Sequence, residues 1–344
     1  MAVQLRKIDE QVMVITGATS GIGLTTARLA ADQGAKLVLA ARSGDALDQL
    51  ASELRRKGTQ VATVAADVGD PADVERIGQA AIERFGRIDT WVNNAGVGIF
   101  GKNEEVPLED MQRLFQTNYW GVVHGSLEAV KRMKTRGGGA LINLGSEVSD
   151  RSTPLQGIYA ASKHAIKAFT DSLRMELEKD KAPMSVTLIR PAAIDTMFAV
   201  HARNHMDKEP ALPPPIYAPD IVARSILYAA QNRKRDVFVG GASKAASSLN
   251  LWMPRALDRF MEKSMFKQQQ SDQPSSPNRR DALHGPDERT ELRERQGMPH
   301  HVAEQSAYTA VTLRANKIVP ALLGAGALFA AWKYTRRNGL KSAF

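Results

Sequence analysis

The chain of 344 residues contains no cysteine. That excludes disulfides, thiolate metal sites and cysteine nucleophiles. Its seven histidines are scattered and show no H-E-x-x-H or similar ligand spacing, so no metal site is expected. Aromatic residues are only 6% of the chain and do not interleave with basic ones. Nucleic acid is therefore not an expected partner. The N-terminus, "MAVQLRKIDEQVMVITG", has no apolar run ahead of the first strand pattern, which speaks against a cleaved signal peptide. What is present is globular in character: 43% hydrophobic and 24% charged residues. The net charge of +9 suits anionic ligands or an anionic membrane surface.

Residues 1–241 alternate short apolar runs with helical patterns. "QVMVITG" reads as a buried strand, followed by a helix closed by Gly34. "KLVLAAR" is the next strand, and its helix ends at Gly58. The alternation continues through "QVATVAADV", "IDTWVNNAG", one long helix around 108–135, "GALINLGS", a helix from about 157 to 180, "MSVTLIRP", a helix near 219–232 and "DVFVGG". Continuous apolar strands interrupted by helices predict a parallel sheet covered on both faces, a doubly wound α/β (Rossmann) fold.

Residues 242–267 read as an amphipathic helical extension. Residues 268–300 hold only four apolar side chains, Ala282, Leu283, Leu292 and Met298. That is too few to fold alone, and a disordered linker is expected. Residues 301–344 contain "IVPALLGAGALFAAW" (318–332), which lacks charge, and then a basic tail. As a helix, 318–332 spans about 22 Å, short of a hydrocarbon core of about 30 Å. Lys317 and Lys333 extend its reach by snorkelling, and the basic tail favours the cytoplasmic side. The expectation is a cytoplasmic catalytic domain with membrane association through 318–332. The alternative is a helix docked on protein.

"TGATSGIG" (16–23) follows the first strand and opens a helix. Gly17 permits the tight turn, Gly21 lets the backbone approach a diphosphate, and Gly23 lets helix and strand pack closely. The helix N-terminus presents unpaired N–H groups to phosphate. Asp67 lies past the third strand, either accepting from an adenine amino group or serving as a loop or capping Asp. "NNAG" (93–96) ends the fourth strand, where ligands sit in such sheets. The second strand ends Ala40-Ala41-Arg42, with no carboxylate at its tip for free ribose hydroxyls. Arg42 suits a 2′-phosphate, so NADP(H) is favoured over NAD(H), although Asp45 keeps the question open.

Tyr159 and Lys163, in "GIYAASKHAI", stand at i and i+4 and share a helix face. An ammonium beside a phenol favours the phenolate and lowers a pKa that is otherwise near 10. Ser146, thirteen residues before Tyr159, ends "ALINLGS" and either orients a substrate oxygen or caps a turn. Ser149 is its rival. Asn118 is unusual in a helix interior and is placed to hold a water in a relay toward Lys163.

Together TGATSGIG, NNAG, Asn118-x-x-Gly121, Ser146 and Tyr159-x-x-x-Lys163 resemble the short-chain dehydrogenase/reductase family over roughly residues 8–240. The resemblance implies an NAD(P)(H)-dependent oxidoreductase with an Asn118–Ser146–Tyr159–Lys163 tetrad, commonly a homo-oligomer. It implies that Pro191, Ile194 and Thr196, in "RPAAIDT", meet the nicotinamide, with Ala192 standing where the family usually has Gly. The implied dinucleotide set is then Gly17, Thr19, Ser20, Gly21, Ile22, Gly23, Arg42, Asp67, Val68, Asn94, Ala95, Gly96, Tyr159, Lys163, Pro191, Ile194 and Thr196. The segment 197–218 is expected to cover a small-molecule carbonyl or alcohol, of apolar or bulky kind. His205 is weighed there as a substrate contact against a solvated loop residue. Two rival readings keep the fold: a nucleotide-sensing scaffold without chemistry, and an epimerase or dehydratase.

Overall fold

The structure, a computed structural model, describes residues 3–289, 291–297 and 301–314. The chain first runs through β1 (Val12–Thr16), α1 (Gly21–Asp32), β2 (Lys36–Ala41), α2 (Gly44–Arg56), β3 (Val61–Ala65), α3 (Pro71–Phe85) and β4 (Thr90–Asn93). After the short β5 (Ile99–Phe100) come α4 (Leu108–Phe115), α5 (Gly121–Met133), β6 (Gly139–Leu144), α6 (Gly157–Lys179) and β7 (Met184–Pro191). A segment with α7 (Phe198–His201), β8 (Arg203–Asn204), β9 (Lys208–Pro210) and β10 (Ile216–Tyr217) leads to α8 (Pro219–Gln231) and β11 (Asp236–Val239). The rest forms α9 (Gly241–Trp252), α10 (Pro254–Gln268), β12 (Gln270–Pro274) and β13 (Val302–Ala303).

Seven strands form one parallel sheet in the order β11-β7-β6-β4-β1-β2-β3. This is the expected doubly wound fold. Successive residues of a strand face opposite sides. Met13 and Ile15 of β1 pack with Leu24 and Ala27 of α1 and with Val222 and Ile226 of α8. Val12 and Val14 face the other way, toward Val74 and Ile77 of α3 and Leu173 and Leu177 of α6. Both faces are therefore covered, which is why the strands read as continuous apolar runs. The order reverses between β1 and β4, and a crevice opens at their carboxyl ends.

A polar network runs through the middle of this core. Trp91 Nε1 donates to Asn93 Oδ1 (2.8 Å), Asn93 Nδ2 to Asn143 Oδ1 (2.8 Å) and Asn143 Nδ2 to Thr170 Oγ1 (3.0 Å). It ties β4 to β6 and α6.

Two expectations need correction. The helix around 108–135 is broken by a π turn at Gln116–Trp120. Asn118 sits inside it, fully buried, and bonds the backbone of Val97 from both ends of its amide. A helix widened there accommodates that side chain. The described residues between 268 and 297 are not a free linker either. β12 pairs antiparallel with β9, the Ala282 N–H donates to His201 O (2.8 Å), and Leu283 is fully buried beside Val97, Ile99, Val106 and Leu114. Scarcity of apolar side chains rules out an independent core; it does not prevent docking on a core already formed. The expected membrane segment 318–332 lies outside the described residues. Among the described residues, no helix is long and apolar enough to cross a membrane.

Truncating Asn143 to Ala removes its bonds to Asn93 and Thr170 and leaves the buried Thr170 hydroxyl without its donor. The expected loss is about 1–3 kcal/mol of stability, read as a lower urea midpoint at unchanged slope.

Candidate active site

The turn after β1 is shaped by contacts that exclude side chains. Gly17 has φ +64°, and a Cβ there would stand 2.8 Å from Ala95 Cα. A Cβ on Gly23 would stand 2.0 Å from Gly17 O. Asn94 holds the turn from β4, its Nδ2 donating to Thr16 O (2.9 Å) and Gly17 O (3.1 Å). Ser20 caps α1 without a side-chain bond, so the first turn of the helix is not closed by its own cap. Thr196 lies across the crevice, its Cβ 3.1 Å from where a Gly21 Cβ would be. A cradle with glycine on both walls at a helix N-terminus fits a diphosphate.

Arg42, Asp67, Val68, Ala95 and Gly96 surround an adjoining cavity beside Thr19 and Ser20. The structure thus brings together the residues expected on the adenosine side. It also brings residues that the sequence did not suggest: Ala282, Pro286 and Glu291 line the same cavity. Arg42 donates to Leu283 O (3.2 Å) and to Ala282 O. One oxygen of Asp67 pairs with Arg113, and the other accepts from the Gly69 N–H (2.9 Å).

Beyond the turn lies a cavity of about 500 Å³. Ser146, Tyr159, Lys163, Pro191, Ile194 and Thr196 all line it. Lys163 Nζ is 5.7 Å from the Tyr159 ring centre and donates to Leu144 O (2.9 Å). Burial pushes the Lys163 ammonium down to about 8. Burial also pushes the Tyr159 phenol up; a hydrogen bond with Ser146 opposes this, and the Glu147 carboxylate adds to it. The expected lowering of Tyr159 by Lys163 is not met here. Desolvation outweighs it, and the ammonium is turned to the Leu144 carbonyl.

Ser146 proves to be both cavity residue and cap: its Oγ accepts from the Val148 N–H (3.3 Å). Ser149 is its partner rather than its rival. It is buried, and its Oγ accepts from the Ser146 N–H (3.1 Å). The Asn118 amide bonds Val97 N–H (2.8 Å), Val97 O (3.0 Å) and Ser162 Oγ (3.2 Å). Both its donors are occupied, so it positions the Val97 backbone and α6 instead of donating to a relay water. Ala192 replaces the usual glycine without a clash, because Gly240, which faces its methyl, has no side chain. His205 bonds Asp110 (3.0 Å); His201 is the histidine on the cavity wall.

The outer wall is apolar. Met197, Phe198, Leu212 and Pro213–Pro215 form one side, as expected of 197–218. Leu249, Leu257, Phe260, Met261 and Met265 of α9 and α10 form the other. Their amphipathic pattern signalled an apolar face but not its destination, and that face is only half-covered: Phe260 is 58% exposed. Glu147 was also missed. It lines the cavity next to Ser146, and burial pushes its carboxyl up to about 7.

Residues 11–207 match the family model described as short chain dehydrogenase. The chain belongs to the short-chain dehydrogenase family. This short-chain dehydrogenase is similar to an uncharacterized oxidoreductase, YxnA, of Bacillus subtilis, at 47% identity over 97% of this chain and 93% of the relative. Its fold is similar to a short-chain dehydrogenase/reductase from Burkholderia phymatum solved with NAD (29% identity, 79% of this chain, 100% of that one, TM-score 0.65). It is likewise similar to an alcohol dehydrogenase from the archaeon Thermococcus sibiricus solved with 5-hydroxy-NADP (30% identity, 67% of this chain, 95% of that one, TM-score 0.59). The family makes this chain an oxidoreductase.

Glu147 carries a pH signature. Its carboxyl is raised from 4.5 to about 7 on folding. Its contribution is fully present below pH 4.5 and is lost as the pH rises toward 7. Wild type is expected to lose stability against Glu147→Gln across that window, in urea titrations at a series of pH values. Parallel curves for the two proteins would refute it.

Proposed function

We propose that the protein is an NADP(H)-dependent carbonyl reductase or alcohol dehydrogenase acting on a lipophilic substrate. One observation carries this reading: Ser146, Tyr159 and Lys163 meet in a single cavity that opens on the glycine cradle at one end and on an apolar wall at the other. A bound nicotinamide supplies or accepts the hydride. In the reducing direction, the Ser146 hydroxyl donates to the carbonyl oxygen and holds it beside Tyr159. The Tyr159 hydroxyl then gives its proton to that oxygen as the hydride reaches the carbon, and an alcohol results. Burial holds Tyr159 in its protonated form, and a charge or oxygen entering the cavity has to lower its pKa before the proton leaves. The Lys163 ammonium, one turn away, stabilises the phenolate left behind. Met261, Met265 and Phe198 give the cavity half-buried apolar surface and favour an apolar substituent.

Arg42 is the basis for NADP(H) over NAD(H), since its guanidinium matches the 2′-phosphate. The uncharged stretch 318–332 and the basic tail after it support association with an anionic membrane. Fractionation of the full chain against a version ending at residue 300 tests that part; if both remain in the supernatant without detergent, it fails.

Tyr159→Phe is expected to lower kcat by about 10²–10⁴, while NADPH binding stays within about twofold. Substantial turnover in this variant rejects the assignment. Arg42→Ala is expected to weaken NADPH about tenfold or more, as loss of a charge-assisted bond implies. NADH affinity should change much less in the same titration.

A further inference from the structure

We propose that the stretch formed by Ala282, Leu283 and Glu291–Arg293 is an internal ligand of the dinucleotide site, which a cofactor must displace. The inference rests on the reading above that this site takes NADP(H).

The segment meets the site's donors with oxygen atoms. Ala282 O and Leu283 O accept from the terminal nitrogens of Arg42. Arg293 O accepts from the Gly21 N–H at the start of α1 (3.0 Å). The Glu291 carboxyl hydrogen-bonds Thr19 in the phosphate turn, and the Leu292 N–H donates to Thr19 O (2.7 Å). Each of these places is where the fold would receive an oxygen of the dinucleotide: the 2′-phosphate at Arg42 and the diphosphate at the turn.

The segment is also anchored. Leu283 is fully buried in an apolar cluster. Asp281 pairs with Arg203 (2.9 Å) and Glu294 with Arg28 (2.6 Å). Burial of Glu291 raises its carboxyl, as expected of an acid held against a site it does not neutralise.

A phosphate at Arg42 restores the two lost bonds and adds the attraction of opposite charges. Arriving phosphates also repel Asp281 and Glu291, both of which act electrostatically on Arg42. Displacing the segment costs every dinucleotide the same, so removing it tightens NADPH and NADH by the same factor.

The absence of cysteine makes the test direct. Ala282→Cys in the full chain introduces the sole thiol at a buried position. Its reaction with a maleimide is expected to accelerate about tenfold or more at saturating NADPH, because labelling goes through the released state. Saturating NADH should accelerate it to the same extent. Slower labelling with NADPH would mean that the segment closes over the cofactor, and an unchanged rate would mean no linkage; either overturns the proposal.

Leu283→Asn, also in the full chain, weakens the anchor. It is expected to tighten NADPH by about tenfold in a fluorescence titration, as removal of a competing state requires. Unchanged or weaker binding counts against the proposal. Failure of wild type and variant alike to bind NADPH rejects the functional reading itself. Binding by both, with labelling that ignores it, rejects only this inference.

Discussion

The near-contact between Gly23 and the Gly17 carbonyl is the constraint on which the site depends. It leaves no room for a single methyl group. Because of it, α1 starts directly under the end of β1, and its N-terminus points into the crevice rather than along the sheet. Asn94 reaches over from β4 to close the same carbonyls. The two strands that flank the reversal in strand order are thereby locked at their carboxyl ends. Everything beyond the lock, from the Asp67 loop to the Pro191 segment, takes its place relative to those few atoms.

Much of this was legible because the physics is local. A buried strand followed by three glycines and a helix has few other uses, and i/i+4 spacing on α6 puts Tyr159 beside Lys163 whatever surrounds them. The paired asparagines divide as strand alternation requires: Asn93 points into the core and Asn94 into the turn. What was not legible depends on partners remote in sequence. The π turn follows from Asn118 reaching Val97, and no periodicity in 108–135 announces it. The destination of Leu283 and Arg293 depends on donors at Arg42 and Gly21, some 240 to 270 residues earlier, so composition alone suggested a linker. The wall formed by α10 was hidden for the same reason.

The electrostatics of the pair on α6 shows how burial alters a rule drawn from charge alone. An adjacent ammonium lowers a phenol's pKa in water. Here both groups are desolvated, each toward its neutral form, and the Leu144 carbonyl accepts a hydrogen bond from Lys163. The protein thus begins from a neutral, proton-bearing tyrosine. That starting state favours giving a proton over taking one, until a charge or a substrate oxygen enters the cavity.

The ion pair between Arg151 and Asp258 gives the apolar wall a mechanical reach. Arg151 follows closely on the turn capped by Ser146, and Asp258 belongs to α10, whose Met261 and Met265 face the substrate cavity. A bulky guest that levers α10 outward pulls on the same short stretch of chain that aims the Ser146 hydroxyl. On the proposed mechanism, size and alignment are then not independent variables: the fit of a substrate's far end would be felt at the Ser146 hydroxyl.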